Sequence, residues 1–355
     1  MKKTLVTINL FFVCNLFSQT PDQLLLKDYR PVSIYKTASA NIQKPSFPPI
    51  DMHSHTYATS QEELNTWIEN IDNFGIEKTI LLTYSFGSQF DSLAAIYQKY
   101  NGKFELWCGI DFRNCDAPGW AEKAAKEIER CHKLGAKGIG EIHDKGKGLQ
   151  SGEIKTNGLR VDDVRMKIIY ATCAKLNMPL SIHMAEPKWM YEPMDSTNDG
   201  LINAYTWKVD LTQTGMYTFE QLIGSFENAV KNNPNTTFIA CHFLNCEYDL
   251  NILGKLFDKY PNLYADIAAR YSEIAPVPRY SKAFIEKYNS RLVFGTDMGL
   301  DESMYKICWR ILESADEHFY EIDQFGYHWA LNGLDLSQET LKKLYHDNAA
   351  KILKL

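Results

Sequence analysis

Ile50-Asp51-Met52-His53-Ser54-His55 is a short apolar run that ends in two histidines one residue apart. Successive side chains on a β-strand alternate faces, so on a strand His53 and His55 point the same way and can grip one ion from one wall. On a helix the same spacing would splay them. Imidazole is the commonest metal ligand, yet an H-x-H pair is short enough to arise without that role. The motif therefore needs partners from the rest of the chain.

Downstream, apolar runs and amphipathic segments alternate regularly. Ser60 to Phe74 carries Leu64, Trp67, Ile68, Ile71 and Phe74 on one helical face, with Ser60 and Glu63 as a capping-box pair and Gly75 as the stop. Strand-like Lys78–Ser85 follows, then helical Asp91–Tyr100 and strand-like Phe104–Phe112. Asp116 is placed to cap a helix over 117–134, and strand-like Lys137–His143 comes next. Val161–Leu176 reads as helix with Val164, Ile168 and Cys173 inward. Then come strand-like Pro179–Met184, an irregular stretch from Ala185 to Met216, and helical Thr218–Asn232. Strand-like Thr236–Phe243, Asn262–Ala268 and Arg291–Gly295 alternate with helical Leu250–Lys259 and Ser281–Tyr288, and the tail from Asp301 reads as mostly helix. Eight strand candidates separated by helices predict an α/β fold, a (β/α)₈ TIM barrel over residues 48–355 with a C-terminal helical extension. A doubly wound sheet would normally place a glycine-rich phosphate loop after its first strand. Here histidines stand there instead.

Upstream, Lys2 and Lys3 precede an apolar run from Leu5 to Phe17 and then Ser18-Gln19. This pattern predicts a signal peptide over 1–18 and export to the periplasm or medium. Residues 19–47, rich in proline, read as an N-terminal arm. The eight cysteines are scattered over a large chain, and Cys108, Cys173 and Cys241 sit in apolar patterns, which predicts buried free thiols rather than a disulfide framework. The chain is 45% hydrophobic and 23% charged, enough apolar residues for a large core. Its net charge of −6 and lack of a basic cluster argue against a nucleic-acid partner, and the body of the chain holds no membrane span. The expected partner is a small-molecule substrate, and a homodimer is compatible with the chain.

Polar residues collect where the predicted strands end. His53 and His55 end the first, Glu141 and His143 the fourth, His183 the fifth and His242 the sixth, and Asp297 follows the eighth. In a barrel all these ends meet at one rim, where active sites lie. A single strand histidine is usually a hydrogen-bonded core residue. Several histidines and two carboxylates at one rim, above largely apolar strands, predict a metal site.

The ordered set Asp51-x-His53-x-His55, His183, His242 and Gly295-Thr296-Asp297 resembles the amidohydrolase superfamily, most of all the amidohydrolase-related branch that includes aminocarboxymuconate semialdehyde decarboxylase. The resemblance covers about residues 48–354, including the stretch from Asn262 to Arg270 and the closing Asn348-Ala349-Ala350. It implies that His53, His55, His183 and Asp297 bind a divalent ion. Zinc suits imidazole and carboxylate, with manganese or iron as alternatives. It further implies that the ion lowers the pKa of a bound water, that Asp297 takes that water's proton, and that His242 bonds the water or polarises the substrate oxygen. Strand four departs from the pattern of two-metal relatives that carry a carboxylated lysine there. Lys137 lies at the wrong end of that strand and Glu141 occupies the reaching position, with Gly140-Glu141-Ile142 similar to TatD-type deoxyribonucleases. Glu141 is therefore a candidate further ligand, a bridge to a second ion, or a substrate contact, and the site is expected to hold one or two ions.

The longest gaps, Asp144–Arg160 and Ala185–Met216, follow strands four and five and should wall the pocket. Trp189, Tyr191 and Trp207 could stack on a substrate or simply pack the loop, His143 is a further candidate contact, and Arg270 could clamp a carboxylate or pair with a rim acid. Hydrolysis of a small amide, ester or lactone is the first expectation. Non-oxidative decarboxylation of an unsaturated or aromatic carboxylate is the alternative, and a TatD-like nuclease is disfavoured by the acidic charge.

Overall fold

The computed structural model describes residues 20–100 and 102–355, so the predicted signal peptide lies outside the described residues. Eight parallel strands form the barrel: β1 (Ile50–Ser54), β2 (Lys78–Leu82), β3 (Phe104–Trp107), β4 (Ile139–Asp144), β5 (Leu180–Met184), β6 (Phe238–Ala240), β7 (Leu263–Asp266) and β8 (Leu292–Val293). Their pairing runs β1-β2-β3 and β4-β5-β6-β7-β8. The two arcs join at both seams. Cys108 pairs with Ile139, and Gly140 N donates to Cys108 O. On the other side Met52 N donates to Phe294 O, and Asp297 N to His53 O. A two-stranded hairpin, Gln150–Ser151 with Ile154–Lys155, extends β4 beyond the barrel.

The sequence explains most element boundaries. Helix Gln61–Phe74 is capped by Ser60, whose hydroxyl accepts from Glu63 N, and it ends at Gly75 in the left-handed conformation (φ 71°). The capping box at Ser60 is only half made, because the Glu63 carboxylate bonds Thr59 instead. Thr218 and Gln221 complete a full box at the head of helix Phe219–Asn232. At Gly138 an added Cβ would lie 2.2 Å from the Trp107 ring, so only glycine lets β4 pass beside that indole.

Several boundaries differ from expectation. The helix expected over Val161–Leu176 starts at Met166, and Val164 is 81% exposed while Ile168 is also exposed. The apolar period had been extended across a turn that faces water. Asp116 caps nothing, since helix Trp120–Lys133 begins at Gly119. The stretch expected to be irregular contains helix Leu201–Trp207. β6 stops at Ala240, three residues short of the predicted strand end, and the chain leaves it in a left-handed turn.

A large apolar core fills the space between strands and helices, with Trp67, Trp309, Tyr271 and Tyr345 fully buried. A smaller cluster gathers Ile50, Met52, Ile80, Leu82, Trp107, Ile239, Tyr264 and Val293 with Ala349 and Ile352 of the last helix. Residues of the arm lie on the tail: Ala40 N donates to Asp316 and Ser46 N to Glu313. The seven cysteines from Cys108 onward are free and buried. No helix among the described residues is long and apolar enough to cross a membrane.

Candidate metal centre

The chain leaves five of the eight strands through residues with a left-handed backbone and a side chain: Tyr84 after β2, Ala185 after β5, His242 to Asn245 after β6, Ala269 after β7 and Asp297 after β8. Each such residue costs on the order of 1–2 kcal/mol. Strain of this kind persists only where the surroundings over-determine it. The turn after β6 is held by Asn245, which is wholly buried and uses its amide fully. Its Nδ2 donates to Met184 O (3.0 Å) and Ala185 O (3.2 Å), and its Oδ1 accepts from Arg270 Nε (2.9 Å) and Nη2 (2.5 Å). The ends of β5, β6 and β7 are thereby tied together.

These exits bring His53, His55, Glu141, His183, His242 and Asp297 into one cluster. Asp297 Oδ1 lies 3.1 Å from His55 Nε2 and 3.8 Å from His53 Nε2. Glu141 Oε1 lies 3.0 Å from His183 Nδ1, 3.4 Å from His242 Nε2 and 3.8 Å from His53 Nε2. Among the described residues, four overlapping ligand-like groups result, each with its donor atoms within 4.8 Å of one another; two are His53–His55–Asp297 and Glu141–His183–His242, and the others join His53 to His242 and Asp266 or to Glu141 and Cys241. His242 Nε2 also stands 3.7 Å from Asp297 Oδ2, so the groups share one space.

The outer hydrogen bonds aim the imidazoles. His55 Nδ1 donates to Leu82 O (2.7 Å) and His242 Nδ1 to Ala268 O (2.8 Å). A carbonyl can only accept, so both rings keep their lone pair on Nε2, facing the cluster. His53 Nδ1 meets Asp266 Oδ2 at 2.9 Å, and His53 Nε2 is fully buried with no hydrogen-bond partner among the described residues. A buried imidazole nitrogen facing two carboxylates without a bonded proton partner is what a cation would satisfy. Asp266 also accepts from His242 N (2.8 Å) through its other oxygen, so one carboxylate orients two of the histidines. Asp51 is no ligand. It ties β1 to the exit of β8 by accepting from Thr296 Oγ1 (2.6 Å) and Thr296 N (3.0 Å).

Electrostatics agree with this arrangement. Burial pushes the Asp297 carboxyl up, but His53, His55 and His242 outweigh it and hold the group well below the usual carboxylate range. Glu141 is likewise held down by His183, His242 and His53 against its burial. Burial disfavours the His53 imidazolium, yet Asp266, Asp297 and Glu141 together raise it to about 10. Burial, with His183 and Arg270 nearby, lowers His242 and keeps it neutral. Burial alone suffices to push Asp51 up to about 7.

A cavity of about 360 Å³ opens over the cluster. His183, His242, Asp297 and Arg270 reach it from the rim, and Lys145, Glu186, Met190, Asn203 and Trp207 come from the two long loops. Gln324 and Phe325 add a wall from the tail that sequence reasoning missed. Among the described residues Arg270 forms no direct ion pair; burial lowers its pKa, but Glu273 and Glu247 lie close enough to raise it overall. Three of its N–H groups go to Asn245 and to Ala269 O (2.8 Å), and two remain. Trp189 and Tyr191, considered as substrate platforms, do not line the cavity. Trp189 bonds Asp199 (2.6 Å) and packs on Trp329, while the Tyr191 hydroxyl accepts from Glu186 N and its ring meets Phe219. Their rings anchor the loop, Trp189 to the tail and Tyr191 to helix Phe219–Asn232. His143 sits behind the wall, between Tyr84 and His183, and burial lowers its pKa to about 3.

Asp266, Tyr57 and Tyr84 also escaped the sequence reading. The Tyr57 hydroxyl donates to Asp297 Oδ1 (2.8 Å) and the Tyr84 hydroxyl to Glu141 Oε2 (2.7 Å). Asp266 was legible, as a lone acid closing an apolar strand. The tyrosines were not, because the contact of Tyr84 depends on a left-handed backbone that no composition signals.

Comparison with known proteins bears on this arrangement. No curated protein matches the sequence. Solved structures with the same fold include a candidate amidohydrolase from Staphylococcus aureus (15% identity, TM-score 0.55, covering 87% of this chain and 100% of that one). Another is 2,6-dihydroxybenzoate decarboxylase from Rhizobium (16% identity, TM-score 0.53, 86% and 98% covered). A third is 5-carboxyvanillate decarboxylase from Novosphingobium aromaticivorans in complex with manganese and a nitrobenzoic acid (16% identity, TM-score 0.52, 90% and 100% covered). These likenesses establish the TIM-barrel fold. The amidohydrolase family model matches residues 107–355, from β3 through the last helix. With most of its length matched in this way, the chain belongs to the amidohydrolase family.

Proposed function

We propose that this chain is a divalent-metal-dependent hydrolase of a small amide, ester or lactone, exported from the cell. His53, His55, His183, Glu141 and Asp297 would hold the metal, zinc by the ligand types, with manganese or iron as alternatives and one or two ions per chain. The observation that carries this reading is the inward-facing set of nitrogens and carboxylates with His53 Nε2 left unpartnered at its centre. A divalent ion supplies Lewis acidity, polarising the scissile carbonyl and making water nucleophilic near neutral pH.

The chain's own residues would do the rest. Asp297 lines the cavity, with Oδ2 3.7 Å from His242 Nε2, while Oδ1 accepts from the Tyr57 hydroxyl (2.8 Å). Oδ2 is therefore the atom free to accept the proton of the attacking water. That proton goes on to the leaving nitrogen or oxygen as the acyl bond breaks. His242, neutral with its lone pair on Nε2, can accept a hydrogen bond from the water but has no proton there to polarise a carbonyl. This favours the first of the two roles expected for it. Lys145, ion-paired to Glu186 and 5.3 Å above the Trp207 ring, stands on the cavity wall beside the loop aromatics.

A second reading, decarboxylation, is favoured by Arg270. Its guanidinium is buried, lines the cavity, forms no direct ion pair among the described residues and keeps two N–H groups, which fits a substrate carboxylate. Two of the solved structures sharing the fold are decarboxylases of aromatic acids. The test is a panel of lactones, esters, amides and aromatic carboxylates given to metal-loaded protein. Incorporation of ¹⁸O from water into product supports hydrolysis. Carbon dioxide release without ¹⁸O in the remaining product replaces it with decarboxylation, and no turnover anywhere in the panel counts against both.

A further inference from the structure

Tyr84 follows β2, outside every predicted ligand motif, yet its side chain touches both halves of the cluster. Its hydroxyl donates to Glu141 Oε2 at 2.7 Å and lies 3.2 Å from His55 Nε2. Its ring stacks on the His55 imidazole, 4.8 Å between centroids and 13° from parallel. The backbone is built to hold it there. Tyr84 has a left-handed φ of 56°, its N donates to Gly140 O immediately before Glu141, and its carbonyl accepts from Ser151 Oγ (3.2 Å). That carbonyl occupies space beside Gly109 that no other residue would leave, 2.1 Å from where a Cβ would stand. Substitution-intolerant packing of this kind gives the hydroxyl one place to go.

The consequence is geometric. With Oε2 engaged by Tyr84, Glu141 turns Oε1 toward His183, His242 and His53, while Oε2 stands 3.8 Å from His55 Nε2. We propose that Tyr84 is a positioning residue of the metal centre, which fixes Glu141 as a single-oxygen ligand and holds the plane of His55 through its ring. The proposal rests on the metal reading above and deepens it. Outer hydrogen-bond partners of metal ligands typically alter metal affinity by about 10–100-fold when removed.

The test uses the full chain stripped of metal and titrated with manganese against a chelator. Tyr84→Phe removes one oxygen and keeps the ring. It should weaken manganese binding about 10–100-fold, a loss of affinity that a core hydroxyl deletion of similar cost to the metal-free melting temperature does not produce. Tyr170→Phe is the control, since that buried hydroxyl donates to Val161 O (2.6 Å) in the core. It should lower the melting temperature and leave affinity alone. In the double variant Tyr84→Phe/Glu141→Gln, affinity should fall no further than in Glu141→Gln, because Tyr84 acts through Glu141. Wild-type affinity in Tyr84→Phe, additive losses in the double variant, or an equal loss of affinity in Tyr170→Phe would each overturn the proposal and leave the metal reading standing. A wild-type chain that takes up no manganese or zinc would overturn the metal reading, and this proposal with it.

Discussion

The two ends of the barrel use left-handed backbone in opposite ways. At the end where strands begin, it falls on helix stops such as Gly75, Gly135 and Asn177, residue types that adopt it at little cost. At the end where strands finish, it falls on Tyr84, Ala185, His242, Phe243, Leu244, Asn245, Ala269 and Asp297, which carry side chains. Among the described residues, at least half of the buried polar atoms without partners lie at the second end: His53 Nε2, His143 Nε2, His183 Nε2 and both oxygens of Glu247, whereas Thr79 Oγ1 and Ser181 Oγ lie near strand beginnings. The finishing end carries most of the left-handed residues with side chains and leaves the imidazole nitrogens of the site open. Such breaches of local rules concentrate where a site must be held ready for something else.

Five substitutions would break or sharpen this contrast. The largest effect is expected from His53→Ala or Asp297→Ala, each of which should abolish turnover and lower bound metal in elemental analysis. Full activity in either would remove the finishing end from the chemistry. Asp266→Asn keeps shape but weakens the hold on His53 and on the turn at His242, and metal affinity measured by chelator competition should drop about 10–100-fold.

Glu247 gives a pH-dependent effect. Burial pushes its carboxyl up to about 8, with Glu273 adding to the rise and Arg270 opposing it. Near pH 4 and below, the group is neutral whether the chain is folded or not. As pH rises toward 8 the unfolded chain ionises first, so stability is lost progressively across that window. Glu247→Gln should therefore match wild type near pH 4 and exceed it by about 1–3 kcal/mol near pH 8 in denaturant titrations. An equal difference at both pH values would contradict the assignment.

The smallest effect belongs to the end where strands begin. At Gly75 an added Cβ meets nothing within 4 Å, so Gly75→Ala tests the backbone alone. It should cost about 1 kcal/mol of stability and leave metal affinity unchanged.

Much of this was legible in the sequence because barrel strands are apolar and their polar ends stand out. His53, His55, Glu141 and His183 could be placed at one rim from that contrast alone, and the structure gathers them there. His242 was placed correctly in space but for the wrong reason, as a strand residue rather than the head of a left-handed turn held by Asn245. Val164 and Ile168 misled because an apolar period does not reveal which turn faces water. Gln324 and Phe325 were beyond reach, since they join the cavity from a tail whose path depends on tertiary packing. Trp189 and Tyr191 show the converse, with aromatics in a long loop spent on fastening it to the tail and to the next helix.

The most direct test of the central claim is elemental analysis of the purified full chain beside its His53→Ala variant, both dialysed against metal-free buffer after loading with zinc or manganese. The account predicts about one or two tightly held divalent ions per wild-type chain and a clear loss in the variant. Equal metal content in the two proteins, or a wild-type chain that turns over substrate with no metal bound, would contradict it.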